Sequence, residues 1–179
     1  AVEYLRAGLP DHEPYRAWSN FEFLADDGTI NEIDALVLTP MGFFLVEIKS
    51  RPGILTGDVH TWTWTTGGLR FTYDNPLFLA NRKARKLVSL LRRQKAAAKA
   101  SIPYLEAVVF CSATDLQNRL AGAGRTNVFL RDSEKSPGIL QALINRTGLG
   151  QERNNVQRLD RPAARTVFRA LEEAGIRPT

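Results

Sequence analysis

The sequence is short of the residues from which soft-metal and disulfide sites are built. Cys111 is its only cysteine, and His12 and His60 are its only histidines. No internal disulfide can form, a zinc constellation of the usual spacing is excluded, and a reducing intracellular compartment is expected. Any metal must then be held by oxygen ligands, which points to Mg²⁺ or Mn²⁺. The longest apolar runs, residues 35–38, 43–46 and 107–111, fall far short of the roughly 18 residues of a membrane span, and no signal peptide precedes them. A soluble, cytoplasmic protein is expected. A phosphate-cradling glycine loop is missing too, since Gly122, Ala123 and Gly124 are followed by neither the Lys nor the Ser or Thr it requires. Acids are absent where the chain is most basic: residues 75–105 carry eight Lys or Arg and no Asp or Glu, within a net charge of +5. Such a cationic block suits a polyanionic partner.

What is present reads as an α/β domain. The 179 residues suffice for one hydrophobic core without staples. Helical spacing over 3–9 stops at Pro10. Strands are predicted over 20–24, 30–38 and 43–50, with turns at residues 26–28 and 39–42. The 43–50 strand is apolar enough to be central, interrupted only by Glu47 and Lys49. A second hairpin is predicted from 59–65 and 69–73 around Gly67 and Gly68, with Gly57 and Asp58 as turn residues. Asn75 and Pro76 open a long helix to about residue 99, with an apolar stripe of Ala80, Ala84, Leu87, Val88 and Leu91. Further strands are predicted at 105–111 and 127–130, and helices at 115–120, 137–146 and 162–174. A polar stretch lies at 148–155. The last residues, 174–179, read as a linker, so the chain is expected to be a fragment of a longer protein.

If residues 40 and 41 form a two-residue hairpin loop, Thr39 lies opposite Gly42 and Asp34 opposite Glu47. Directly opposed residues project from one face, and Lys49, two residues on, joins them. The same register puts Glu32 opposite Lys49. Two carboxylates at the end of a buried strand are costly without a compensating cation. Mg²⁺ takes one or two carboxylates plus other oxygens, here Asp34, Glu47 and the Ile48 backbone carbonyl, with Glu32 as a possible addition. Lys49 could then orient or deprotonate an attacking water, or stabilise charge on phosphate. A surface charge ladder in which Lys49 neutralises one carboxylate is the alternative, and the commoner fate of charges on a strand.

Asn31, Glu32, Ile33 and Asp34, then residues 43–50 around Glu47 and Lys49, then 53–58 and Trp62, and finally Asn75 and Pro76 opening a basic helix, together resemble the nuclease-related domain (NERD) family. The similarity runs over residues 2–131. It implies a PD-(D/E)xK restriction-endonuclease-like core, a mixed central β-sheet flanked by helices, occupying residues 1–131, with 132–179 as a C-terminal helical extension. It also implies Mg²⁺-dependent (or Mn²⁺-dependent) hydrolysis of DNA, with Asp34 and Glu47 on the metal and Lys49 beside the scissile phosphate. Two departures stand out. The helix glutamate that usually precedes the hairpin would fall before Ala1, and Leu77, Phe78 and Leu79 replace a glutamine usual after Asn-Pro. The hairpin and the 170–178 tail also resemble the nuclease-related region of large bacterial protein kinases from phage-defence systems of the BREX or Pgl kind.

On the long helix, Arg82, Arg85, Lys86, Arg92 and Arg93 are candidate contacts to nucleic-acid backbone, with a solvated basic face as the alternative. Trp62 and Trp64 share a strand face and are read as packing before base stacking. Cys111 is read as packing. The leading functional expectation is a DNA nuclease module of a defence protein. The alternative is a catalytically silent nucleic-acid-binding or docking module regulating an attached kinase.

Overall fold

The computed structural model describes residues 1–149 and 158–177. Strands β1 (Arg16–Leu24), β2 (Ile30–Thr39) and β3 (Gly42–Lys49) form an antiparallel meander. The β2–β3 loop is the two-residue one that the sequence predicts, with Thr39 paired to Gly42. The buried Thr39 hydroxyl donates to the Leu143 carbonyl (2.8 Å) and accepts the Met41 N–H (3.1 Å), which fastens a turn that Pro40 alone would not favour.

After β3 the chain makes β4 (Gly53–Gly57), β5 (Thr61–Thr66) and β6 (Leu69–Asp74), and then α2 (Pro76–Arg92) follows the N-terminal helix α1 (Val2–Gly8) as the second helix. Strand β7 (Leu105–Cys111) runs parallel to β3, β8 (Leu116–Asn118) runs parallel to β4, and β9 (Val128–Phe129) runs parallel to β7. Helices α3 (Ile139–Asn145) and α4 (Arg161–Glu173) complete the described chain. Two sheets result: a mixed five-stranded sheet in the order β1-β2-β3-β7-β9 and a four-stranded sheet β6-β5-β4-β8.

The two faces of the large sheet follow from strand parity. Leu36, Leu38, Phe43, Leu45, Leu105 and Ala107 pack under α2 and α4, against Ala80, Leu87, Val167 and Leu171. Ala35, Val37, Phe44, Val46, Val108 and Phe110 pack under α1 and α3. Farther along β7, Val109 and Cys111 pack against Leu55, Trp62 and Trp64 of the small sheet. Asp34, Glu47 and Lys49 share the parity of Leu36, Phe43 and Leu45. They therefore face the side of α2, at the carboxyl end of the parallel strands β3 and β7, where the small sheet meets the helix. In open α/β sheets that end is where ligands bind.

Several elements depart from the sequence reading. Strand β1 starts at Arg16, four residues earlier than predicted, because its ladder with β2 runs from Arg16–Leu38 onward. Residues 53–57, read as motif and turn, are a strand. Its terminal glycines hide it: a Cβ on Gly53 would meet the Thr65 carbonyl oxygen at 2.4 Å and one on Gly57 the Thr61 carbonyl oxygen at 2.3 Å. The helix predicted at 115–120 is instead β8, drawn into an extended form by pairing with β4. The long helix ends at Arg92, and a 3₁₀ turn at Lys95–Ala98 follows, whose Ala96 N–H is taken by Glu173 of α4. The predicted polar stretch lies mostly outside the described residues, as does the end of the predicted linker. No helix among the described residues is long and apolar enough to cross a membrane.

Helix α3 is held by an aspartate seven residues before its first residue. The Asp132 carboxylate accepts the N–H groups of Gly138 (2.7 Å), Leu140 (2.9 Å) and Gln141 (3.1 Å) and the hydroxyl of Tyr4 (3.0 Å). Burial pushes its pKa up, but these donors outweigh burial and hold it below the usual carboxylate range. A depressed folded pKa means stability that is present above the unfolded value of about 3.9 and lost as pH falls through the folded one. Asp132→Asn should therefore cost about 1–2 kcal/mol at neutral pH. The gap in Tm from wild type should close as pH falls below about 4. A gap that persists unchanged at acid pH would show that the carboxylate charge is not what holds α3.

Candidate active site at the open end of the hairpin

The β2–β3 ladder stops at Ala35–Val46, one pair short of the acids. On the other side of β2 the ladder skips the position opposite Asp34, where Asn20 has φ 50°. Asp34 thus stands where both neighbouring strands let go. Its carboxylate closes the gap by accepting the Ile48 N–H at 2.8 Å. The next carbonyl, that of Lys49, turns toward β7 and accepts the Ser112 N–H at 2.9 Å. Alternation along the strand then directs the Ile48 carbonyl to the β2 side, beside Asp34. Asp34 and Glu47 thus stand on one face at the opened strand end.

Glu47 is buried, 5% exposed. Its Oε1 lies 3.6 Å from Lys49 Nζ and its Oε2 lies 3.3 Å from Lys83 Nζ of α2. Lys49 is half-exposed and Lys83 largely buried. The pairing with Lys49 was expected; the one with Lys83 was not. Lys83 is three residues after Ala80 and four before Leu87, inside the buried stripe of α2. That position distinguishes it from the other basic residues and was legible in the sequence. Glu32 lies beyond the end of the β2–β3 ladder and is not paired with Lys49 there; on the other edge of β2 it pairs with Glu22, and it is exposed. Among the described residues no group of three or more His, Cys, Asp or Glu side chains converges as a metal site.

The basic residues of α2 divide. Lys86 pairs with Asp27 (3.2 Å) and donates to Thr29 (3.0 Å), and Arg93 pairs with Asp26. The Thr29 hydroxyl and N–H, with Lys86, hold the Asp27 carboxyl down to about 2, so that end of the helix is tied to the β1–β2 turn by permanent charges. Arg82, Arg85 and Arg92 are exposed and have no ion-pair partner among the described residues. They are the ones left to meet a polyanion.

Beside Lys49 opens a groove of about 770 Å³ between the end of β3, the small sheet and the first turns of α2. Trp62 and Trp64 form a wall of it but are buried in the core beneath, in keeping with a packing role. Arg51 and Phe78, neither predicted to matter, both line it. Asp58 is turn chemistry, accepting the N–H groups of His60 (2.8 Å) and Thr61 (2.9 Å). Burial pushes the Cys111 thiol up to about 12, so it carries no thiolate at neutral pH and is inert as a nucleophile.

Comparison with known proteins agrees with the motif order. A family model described as nuclease-related domain matches residues 1–111. The protein called "Probable kinase PglW" of Streptomyces coelicolor is 38% identical over 177 residues, which are 98% of this chain and 10% of that protein. The chain thus spans about a tenth of the length of the curated relative it matches. No solved structure matches it.

Proposed function

Since the chain belongs to the nuclease-related domain family, we propose that it is a Mg²⁺- or Mn²⁺-dependent nuclease domain with a PD-(D/E)xK core, hydrolysing phosphodiester bonds of DNA. What supports this reading is the opened strand end, where the Asp34 carboxylate takes the Ile48 N–H and Glu47, on the same face, pairs with Lys49; the Ile48 carbonyl is the third donor of the proposed set. Two carboxylates and a carbonyl, completed by waters and phosphate oxygens, are a donor set that suits a hard divalent cation. Each Glu47 oxygen faces one lysine but has a second lone-pair direction, so the carboxylate can serve an ion and an ammonium at once. When bound, the cation supplies Lewis acidity at phosphate and a more acidic attacking water. The half-exposed Lys49 Nζ then neutralises charge gathering on the non-bridging phosphate oxygens. Arg82, Arg85 and Arg92 hold the flanking backbone. Similarity to a protein named as a probable kinase supports placing this domain beside a kinase in a larger protein of bacterial phage defence.

A second reading has its own observation. Lys83 already neutralises Glu47, a pair that needs no metal. On that reading the chain is a nucleic-acid-binding or docking module that regulates an attached enzyme.

Cleavage of plasmid and of single-stranded DNA with Mg²⁺ or Mn²⁺, run beside Lys49→Ala and a chelator control, separates the two. Cleavage that is lost in the variant and in chelator supports the nuclease. No cleavage by wild type, or equal cleavage by the variant, rejects it. Under either reading DNA affinity should fall steeply with salt. With about five phosphates engaged, the slope of log K against log salt should be about −3.5 for single strands and about −4.5 for duplex, a loss of roughly a hundredfold to five hundredfold between 50 and 200 mM. Salt-independent binding would exclude the phosphate contacts.

A further inference from the structure

The groove beside Lys49 is lined by Lys49, Arg51 and Arg82, against a single acid, Asp74. Its aromatic lining is open at the mouth: Tyr73 is 46% and Phe78 48% exposed. Most large apolar rings are packed in or against the three core clusters, whereas these two stand half-exposed in a cationic groove. Arg51 is fixed in place. Its guanidinium lies 4.6 Å from the Phe71 ring centroid and 5.3 Å from that of Tyr73, and its Nη1 donates to the Tyr73 hydroxyl at 2.7 Å. Phe78 is backed by the His60 ring, at 6.2 Å between centroids and an interplanar angle of 18°. The groove therefore offers anchored positive charge and aromatic faces within one space of about 770 Å³, in the range of ligand-sized clefts.

Phosphate needs the cations, but only a base with a free face can use the rings. In a duplex those faces are already stacked on neighbouring bases, whereas an unpaired nucleotide presents them. We propose that this groove seats an unpaired nucleotide of DNA, its base on Phe78 and its phosphate between Arg51 and Arg82. The strand delivered to Lys49 is then single-stranded, as in a flap, a gap or a frayed end. Naming that substrate rests on the nuclease reading, whereas the binding itself does not.

The test is anisotropy of the 179-residue chain in chelator, where nothing is cut. The probes are a labelled 12-nucleotide single strand, the blunt duplex of the same sequence, and the same strand with abasic central positions. The single strand should bind about tenfold more tightly than the duplex. Abasic substitution and Phe78→Ala should each cost the single strand about tenfold, at the low end for a base–aromatic stack. Phe78→Ala should leave duplex affinity within twofold. Arg85→Ala, on α2 and outside the groove, should weaken single strand and duplex alike. The proposal is overturned by a duplex that binds as tightly as the single strand, by an abasic strand that binds like the intact one, or by competition from polyglutamate that matches unlabelled single strand, which would assign the groove to acidic protein. The abasic comparison uses unaltered protein, so poor folding of a variant cannot rescue the idea. A chain that does not cut but passes this test retains the groove and loses only the nuclease.

Discussion

Replacing Glu47 with glutamine is expected to lower phosphodiester cleavage by about a thousandfold or more. A neutral amide cannot hold a hard divalent ion as a carboxylate does, and the Lewis acid contributes several kcal/mol of transition-state stabilisation. At about 1.4 kcal/mol per factor of ten, losing it reaches roughly 10³. Glu47 is buried and its side chain meets both Lys49 and Lys83; the near-isosteric amide keeps the shape but has one acceptor oxygen, so it serves one lysine while its NH2 faces the other, and some loss of stability accompanies the loss of cleavage. Asp34→Asn should follow the same direction, since its carboxylate both fills the opened ladder and accepts from Ile48. Initial nicking rates, with thermal melts to show that the variants remain folded, decide this. A Glu47→Gln protein that cuts at a rate near wild type would remove Glu47 from the centre.

The second large effect is on stability and its dependence on metal. Lys83 and Glu47 form a largely buried pair, and deleting one partner of such a pair leaves the other charge poorly compensated. The usual cost is about 3–5 kcal/mol. Lys49 still neutralises the other Glu47 oxygen, so about 2–3 kcal/mol is the expectation for Lys83→Met. For a domain of this size that lowers Tm by roughly 4–12 °C. A bound cation replaces the missing ammonium, so Mn²⁺ at about a hundred times its Kd should restore about 2.7 kcal/mol. On the binding-module reading the loss occurs and metal restores none of it. Denaturation with and without Mn²⁺ tells the two apart, and a Lys83→Met protein as stable as wild type would show that Lys83 is not the counter-ion of Glu47.

The hairpin was legible because its signals agreed. Apolar runs flanked a short turn, the register followed from Thr39 and Gly42, and charges fell on one parity. What the register could not reveal was that the β2–β3 ladder stops one pair early, where Asp34 turns its carboxylate into the gap, and that β1 skips the position opposite Asp34, where Asn20 adopts a positive φ. Those are tertiary adjustments that no local preference encodes. Glu32 was placed beside Lys49 by extending the ladder past its real end.

The basic helix shows a different limit. Counted as a block, its Lys and Arg residues looked alike, but packing sorts them into a buried counter-ion (Lys83), residues tied to the β1–β2 turn (Lys86, Arg93) and exposed ones (Arg82, Arg85, Arg92). Helical spacing could have separated Lys83. The pairing of Lys86 and Arg93 with residues 26 and 27 requires a contact across about sixty residues of sequence, which periodicity does not carry. The groove was invisible for a related reason: it is assembled from β3, β6 and α2, whose mutual placement follows from β4, a strand whose terminal glycines read as turn signals.

Whether the opened end of the β2–β3 hairpin is a divalent-cation centre is decided by a calorimetric titration of the metal-free chain with Mn²⁺. Wild type should bind Mn²⁺ saturably, with binding abolished by either Asp34→Asn or Glu47→Gln and tightened by Lys83→Met. Absence of binding, or binding that survives both carboxylate substitutions, would contradict it.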